Sequence, residues 1–245
     1  MIDHFREHGW VVVDLLPPET IAALPGWIDE IASLNDGERG VLQHFEGTDD
    51  GPMLCRSEDF VPVHAALRDL LCGSPLAETA GALLGEPAVL YKEKINYKLP
   101  GGAGYSPHQD APAYPMIDHH VSAMVAIDDA DDANGGLEVV SRCFDEILAV
   151  DDRGCITPAI VARLEWQPVP LRAGQTLWFH SRTPHRSAAN HSKQPRRALY
   201  PTYSAAREGD LRAAYYEAKR TAFASAPDGD RVRVSLIGDF EGRPV

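Results

Sequence analysis

His108 and Asp110 stand two residues apart in the run Gly104-Tyr105-Ser106-Pro107-His108-Gln109-Asp110, just after a Gly-Gly turn. In an extended backbone alternate side chains share one face, so an imidazole and a carboxylate at this spacing can reach a single metal ion. A third donor is required. The best candidate is His185, far downstream, where the apolar run Thr176-Leu177-Trp178-Phe179 gives way to a turn; His180 and His191 are the alternatives. Two imidazoles and one carboxylate leave half of an octahedral iron open for a co-substrate and oxygen, and they do not match the thiolate-rich sets of structural zinc. Beyond His185, Arg196 opens a strand-like run and offers a guanidinium that can pair bidentately with a carboxylate; Arg197 beside it must face the other way.

The strand that feeds this motif is unusual. Residues 89–99 alternate Tyr91, Glu93, Ile95 and Tyr97 with Lys92, Lys94, Asn96 and Lys98. A whole face of long polar side chains suits the wall of a polar cavity, which makes Lys92 and Lys94 candidates for contacting an anionic or zwitterionic substrate. Tyr105, Tyr114, His119 and His120 are expected at the pocket edge.

The remaining pattern supplies a frame for these residues. Residues 9–16 read as a strand stopped by Pro17-Pro18, and residues 19–34 as a helix that Pro25 kinks or divides. Residues 38–58 lack a period and read as irregular, with a loop at 47–52. Residues 60–84 read as two helices broken at 72–75, where Ser74 can cap the second. Strands follow at 121–127 and 136–140, joined by an acidic loop at 128–134. A loop or short helix is expected at 145–152. A hairpin-like pair, 166–171 and 175–180, is expected around Arg172-Ala173-Gly174, then a strand at 197–204. A surface helix over 208–223 and a tail at 231–245, either a strand or a loop across the core, complete the chain. The expected organisation is one domain over residues 1–245: a helical part at about 17–85, a β core at about 88–205, and a terminal helix and tail at about 207–245.

Composition narrows the function classes. A net charge of −13 argues against nucleic acid or an anionic membrane as the principal partner, since such surfaces select basic stripes. Four cysteines without a CxxC pair read as reduced thiols of a cytoplasmic protein, and no 18-residue apolar stretch occurs. Oligomeric state is not legible.

Several segments together carry a family likeness: Phe5-Arg6-Glu7-His8-Gly9-Trp10-Val11-Val12-Val13, Ile95-Asn96-Tyr97-Lys98, His108-Gln109-Asp110, Asn134-Gly135-Gly136-Leu137-Glu138-Val139, and His185-x-Ser187 with Arg196. The chain resembles the phytanoyl-CoA dioxygenase-like (PhyH) family of non-haem Fe(II)/2-oxoglutarate-dependent oxygenases. The resemblance implies a mainly β fold, a double-stranded β-helix (jelly roll, cupin-like) with flanking α-helices. Carried over by position, it implies that His108, Asp110 and His185 ligate Fe(II) and that Arg196 and Ser187 hold the distal carboxylate of 2-oxoglutarate. Gln109, Asn96 and Lys98 would be further co-substrate contacts. The implied reaction uses O2 at the iron centre, with no separate acid or base residue, to hydroxylate an unactivated C–H bond. The expected substrate is a small anionic or zwitterionic metabolite or natural-product intermediate, such as an amino acid, a phosphonate or a carboxylate. Retention of Asp110 argues against halogenation. Other oxidative outcomes (desaturation, epoxidation, cyclisation) or an acyl-CoA substrate are alternatives on the same scaffold. A non-catalytic small-acid-binding barrel and a zinc hydrolase are competing classes, and both are disfavoured by a full ligand set with its arginine.

Overall fold

A computed structural model describes residues 1–73, 75–225 and 234–245. The elements are α1 (Ile2–His8), β1 (Trp10–Asp14), α2 (Pro18–Ala32), β2 (Leu42–Thr48), β3 (Gly51–Glu58), α3 (Ala65–Cys72), α4 (Leu76–Leu84), β4 (Ala88–Lys98), β5 (Tyr105–His108), β6 (His120–Ala126), β7 (Leu137–Val140), α5 (Pro158–Val161), β8 (Trp166–Pro168), β9 (Gln175–His180), β10 (His185–Ser187), β11 (Arg196–Ala205) and α6 (Arg212–Ala224). The strands form two antiparallel sheets: a larger one in the order β1-β9-β6-β11-β4-β3-β2, and a smaller one in the order β5-β10-β7-β8. This is the double-stranded β-helix that the family resemblance implied.

Alternation along the strands divides the molecule into layers. Val121, Ala123 and Val125 of β6, Ile95 and Tyr97 of β4, and Leu199 and Tyr203 of β11 pack against Leu24, Ile28, Ile31, Leu67, Leu71 and Leu76 of the helices. Their neighbours in sequence, Met124, Ala126, Ala198 and Tyr200, point to the other face and meet Leu137 and Val139 of the smaller sheet. Each strand therefore contributes one set of side chains to a helix-covered core and one set to the space between the sheets. On β4 the inward set is polar, so there the space between sheets becomes a cavity.

The structure departs from the periodicity reading in four places. Helix α2 runs unbroken through Pro25, because the apolar stripe Leu24, Ile28 and Ile31 is buried and outweighs one missing backbone bond. Residues 42–58 are not irregular but form the hairpin β2–β3. Their inward side chains are polar, so no apolar alternation announces them: Gln43 Nε2 donates to Ile31 O at 2.9 Å, and Ser57 Oγ donates to Tyr97 Oη at 3.0 Å. The pair expected at 166–180 is not a hairpin. The chain crosses between sheets there, with β8 joining β7 in the smaller sheet and β9 lying between β1 and β6 in the larger. Finally, α6 is not a purely surface helix, since Tyr215, Tyr216 and Lys219 are buried. A bulge also skips Tyr91 in the β4–β11 register, between Leu90 and Lys92, and Tyr91 joins an aromatic cluster with Tyr114 and Tyr215. Ser74 and residues 231–233 of the expected tail lie outside the described residues. Among the described residues no helix is long and apolar enough to cross a membrane. All four cysteines are free thiols.

Candidate active site

β5 and β10 are hydrogen-bonded neighbours, and their register sets His185 directly opposite His108, with ring centroids 4.2 Å apart. The approach is close enough that a Cβ on Gly104 would come within 2.5 Å of Ser187 O, so only glycine fits where the chain enters β5. Each imidazole directs Nδ1 to a carbonyl two residues earlier, His108 to Ser106 O at 2.7 Å and His185 to Thr183 O at 3.1 Å. With Nδ1–H donating, the Nε2 lone pair of both rings is left for a metal. Asp110 follows β5, and its Oδ2 accepts from Ser122 Oγ at 2.6 Å while Oδ1 stands 4.0 Å from His185 Nε2. One donor atom from each of the three residues lies within 4.8 Å of the other two, and all three residues are buried.

Charge states suit ligation. Burial, reinforced by His108, pushes His185 down to about 4, so its ring is neutral at neutral pH. Burial would raise the Asp110 carboxyl, yet His185, Lys92, Lys94 and His108 outweigh it and hold the group well below the ordinary carboxylate range. A neutral imidazole and an ionised carboxylate are the forms that bind a divalent cation without first losing protons.

A second polar cluster lies where β11 starts and β4 ends. Arg196 is fully buried, donates from Nη1 to Tyr200 Oη and from Nη2 to Gly135 O, both at 2.9 Å, and leaves Nε without a partner. Lys98, opposite Arg196 in the β4–β11 register, donates to Ser187 Oγ at 2.8 Å and to Gly135 O at 3.2 Å. Gly135 holds φ at 75°, and a side chain there would collide with Ala188 O. Neither cation has a carboxylate within 4.0 Å among the described residues. A buried guanidinium and a buried ammonium of this kind fit the distal carboxylate of a dicarboxylate co-substrate. Arg197 faces outward to Asp128 and Asp29.

The cavity between the sheets has an empty volume of about 410 Å³. Lys92, Lys94, Asn96, Tyr105 and Ser187 line it together with the three metal donors. Other expected contacts stand back from it. Gln109 Oε1 accepts from Leu148 N at 2.8 Å and its Nε2 donates to Glu146 O at 3.0 Å, so it ties the 145–148 loop to the metal motif. Tyr114 packs with Tyr91 and Tyr215 behind Lys92. His119 pairs with Glu86, and His120 is buried beside Tyr114. Ser122, Thr202, Tyr200 and Asp239 line the cavity without having been anticipated. The first three sit on strands whose short or aromatic residues read as ordinary core.

Asp239 comes from the carboxyl-terminal segment, which pairs with the free edge of β5: Ser106 N donates to Asp239 O at 2.7 Å, Tyr105 bridges Phe240, and Glu241 N donates to Gly104 O at 3.0 Å. This brings Asp239 Oδ2 to 3.2 Å from His108 Nε2. Burial would raise the Asp239 carboxyl, but His108, the Ser235 hydroxyl, Arg56 and Lys94 hold it below its ordinary value.

Comparison with known proteins places this geometry. The profile of the family described as phytanoyl-CoA dioxygenase (PhyH) matches residues 5–198. The chain belongs to that family. It is 41% identical over 248 residues to a methylphosphonate hydroxylase of Gimesia maris, covering 100% of this chain and 95% of the relative. It is 33% identical over 234 residues to a 2-aminoethylphosphonate dioxygenase from an uncultured bacterium, covering 93% and 88%. Among solved structures, EctD from S. alaskensis, crystallised with 2-oxoglutarate and 5-hydroxyectoine, superposes with a TM-score of 0.73 at 19% identity, over 84% of this chain and 76% of that one, a likeness of fold. As a phytanoyl-CoA dioxygenase family member the protein is a non-haem Fe(II)/2-oxoglutarate-dependent dioxygenase, and His108, Asp110 and His185 are its facial triad. The zinc-hydrolase and non-catalytic alternatives are thereby set aside.

Proposed function

We propose that this dioxygenase hydroxylates the short carbon arm of a small phosphonate and that Lys92 and Lys94 bind the phosphonate group. The carrying observation is that these two lysines line the same cavity as the triad with no carboxylate within 4.0 Å among the described residues. Each lies over an aromatic ring instead, Lys92 Nζ 4.6 Å from the Tyr114 centroid and Lys94 Nζ 5.2 Å from that of Tyr200. Burial lowers the pKa of Lys92, and burial together with the Lys92 charge lowers that of Lys94 well below its ordinary value. Such cations are unfavourable when unpaired, and a dianion seated between them removes both penalties. A phosphonate supplies two negative charges where a carboxylate supplies one, and two relatives that match most of the chain are named for phosphonates.

When bound, Fe(II) and 2-oxoglutarate would direct the oxidising power of O2 to C–H hydroxylation, one oxygen atom entering the product and the other succinate, with release of CO2. The protein's own residues set where that power acts. Arg196, Ser187 and Lys98 are proposed to orient the co-substrate, while Lys92 and Lys94 fix the phosphonate so that its carbon arm faces the triad. Coupled assays with methylphosphonate, 2-aminoethylphosphonate and carboxylates of matching length, followed by succinate release and phosphorus NMR, test this reading. The expected result is hydroxylated phosphonate with kcat/KM at least about tenfold above any carboxylate, a difference of about 1.4 kcal/mol. Preference for a carboxylate would overturn it.

A further inference from the structure

The cavity holds one group that neither the metal chemistry nor phosphonate binding uses. Asp239 is 3% exposed, and its Oδ1 has no hydrogen-bond partner among the described residues. Its Oδ2 stands 3.2 Å from the nitrogen that His108 gives to the metal, without the alignment of a hydrogen bond, and the Ser235 hydroxyl lies beside the carboxylate. Asp239 is not among the grouped metal donors, so it flanks the triad without completing it. Its backbone is fixed by pairing with β5 and by Gly238 N donating to Arg153 O at 2.6 Å. With the Nε2 of His108 committed to a metal, a buried carboxylate faces the cavity with an unfilled valence. Across the same cavity stand Lys92 and Lys94, close enough to interact electrostatically with Asp239 yet more than 4.0 Å away.

We infer that Asp239 binds a cationic group on the substrate, so that the site is complementary to a zwitterion: a small aminoalkylphosphonate whose phosphonate lies on Lys92 and Lys94 and whose ammonium lies on Asp239. The inference rests on the phosphonate reading and adds the other end of the molecule. A buried carboxylate left unpaired is unfavourable, so a substrate that supplies the missing cation is bound more tightly than an isostere without it. Asp239 is therefore a specificity-determining residue supplied by the carboxyl terminus.

The test compares 2-aminoethylphosphonate with propylphosphonate, which has the same length and shape with a methyl in place of the ammonium. On the full-length enzyme with Fe(II) and 2-oxoglutarate, kcat/KM for the amino compound is expected to exceed that for propylphosphonate by about 10–100-fold. Asp239→Asn is expected to collapse that ratio to near one, chiefly through KM. Mn(II) binding by Asp239→Asn, measured by calorimetry, is expected to match the parent protein, which separates substrate recognition from metal ligation and reports an intact site. Equal or reversed preference in the parent enzyme, or equal loss on both substrates in Asp239→Asn, overturns the role of Asp239 while leaving the phosphonate reading in place. A tenfold loss of Mn(II) affinity reassigns Asp239 to the metal and also overturns it. Failure of both phosphonates to be hydroxylated overturns the two readings together.

Discussion

Two groups of buried charges adjoin β4, and they are built on opposite rules. On the side of α6, Lys219 Nζ meets Glu58 at 2.5 and 2.6 Å, Arg56 lies 3.5 Å from the same carboxylate, and Arg212 joins Glu93 at 2.9 Å and Asp59 at 2.7 Å. Lys92, Lys94 and one oxygen of Asp239 in the cavity, and the Nε of Arg196 in the second polar cluster, have no such partners among the described residues. Burial is similar in both places, so the difference lies in pairing. A paired cluster joins elements, here the hairpin β2–β3 and β4 to α6, and its charges are satisfied without a ligand. An unpaired cluster retains an energetic penalty that a bound molecule can relieve, and the open valences outline that molecule's charges.

The contrast can be broken in several ways. The largest effect is expected for Asp110→Ala, which removes the anionic metal donor: phosphonate-dependent succinate release should fall at least about 10³-fold, roughly 4 kcal/mol of lost transition-state stabilisation, with reduced iron content. Retained coupled turnover would refute the triad. Next is Lys219→Met on the paired side. Glu58 would keep only Arg56 and a weak contact with His44, and the unfolding free energy from urea titration should drop by about 3–5 kcal/mol with KM for the phosphonate little changed. Lys94→Met should do the reverse, raising KM about 10–100-fold, roughly the value of one charge-assisted hydrogen bond, while the urea midpoint holds or rises. If Lys94→Met destabilised the fold as Lys219→Met does, the distinction between the clusters would fail.

The smallest effect concerns pH. Burial pushes His120 and His180 down to about 4, against about 6.5 for an unfolded histidine. Between those values the unfolded chain takes up protons that the native rings refuse. Stability should therefore be undiminished by these groups above about pH 6.5 and be lost progressively as pH falls towards 4. Urea midpoints measured across that range should show the decline, and His120→Gln should make it shallower.

Much of the site was legible before any coordinates. His108, Asp110 and His185 are strongly typed residues, and the two-residue spacing keeps the first two together locally, although the strand ends at His108 and Asp110 takes a helical backbone conformation just beyond it. The alternation of Lys92, Lys94 and Asn96 with Glu93, Ile95 and Tyr97 likewise announced a polar cavity wall, because strand period is set by the backbone and not by context. The hairpin β2–β3 was not legible. Its buried residues Gln43, His44, Glu46, Arg56 and Glu58 are polar, and several of their partners come from segments as much as 178 residues away. Gln109 shows the converse: a motif residue whose side chain turns to a loop that local pattern could not locate.

The sequence thus decided which chemistry is possible, since ligand types, the spacing of His108 from Asp110 and the polar face of β4 depend on neighbours one or two residues away. Tertiary structure decided what the chemistry meets. The register that sets His185 opposite His108, the convergence of Arg196, Lys98 and Ser187 around Gly135, and the return of the carboxyl terminus that carries Asp239 to the metal corner are all contacts between distant segments. They exist only because two sheets close over one another, and no local period encodes a partner that distant.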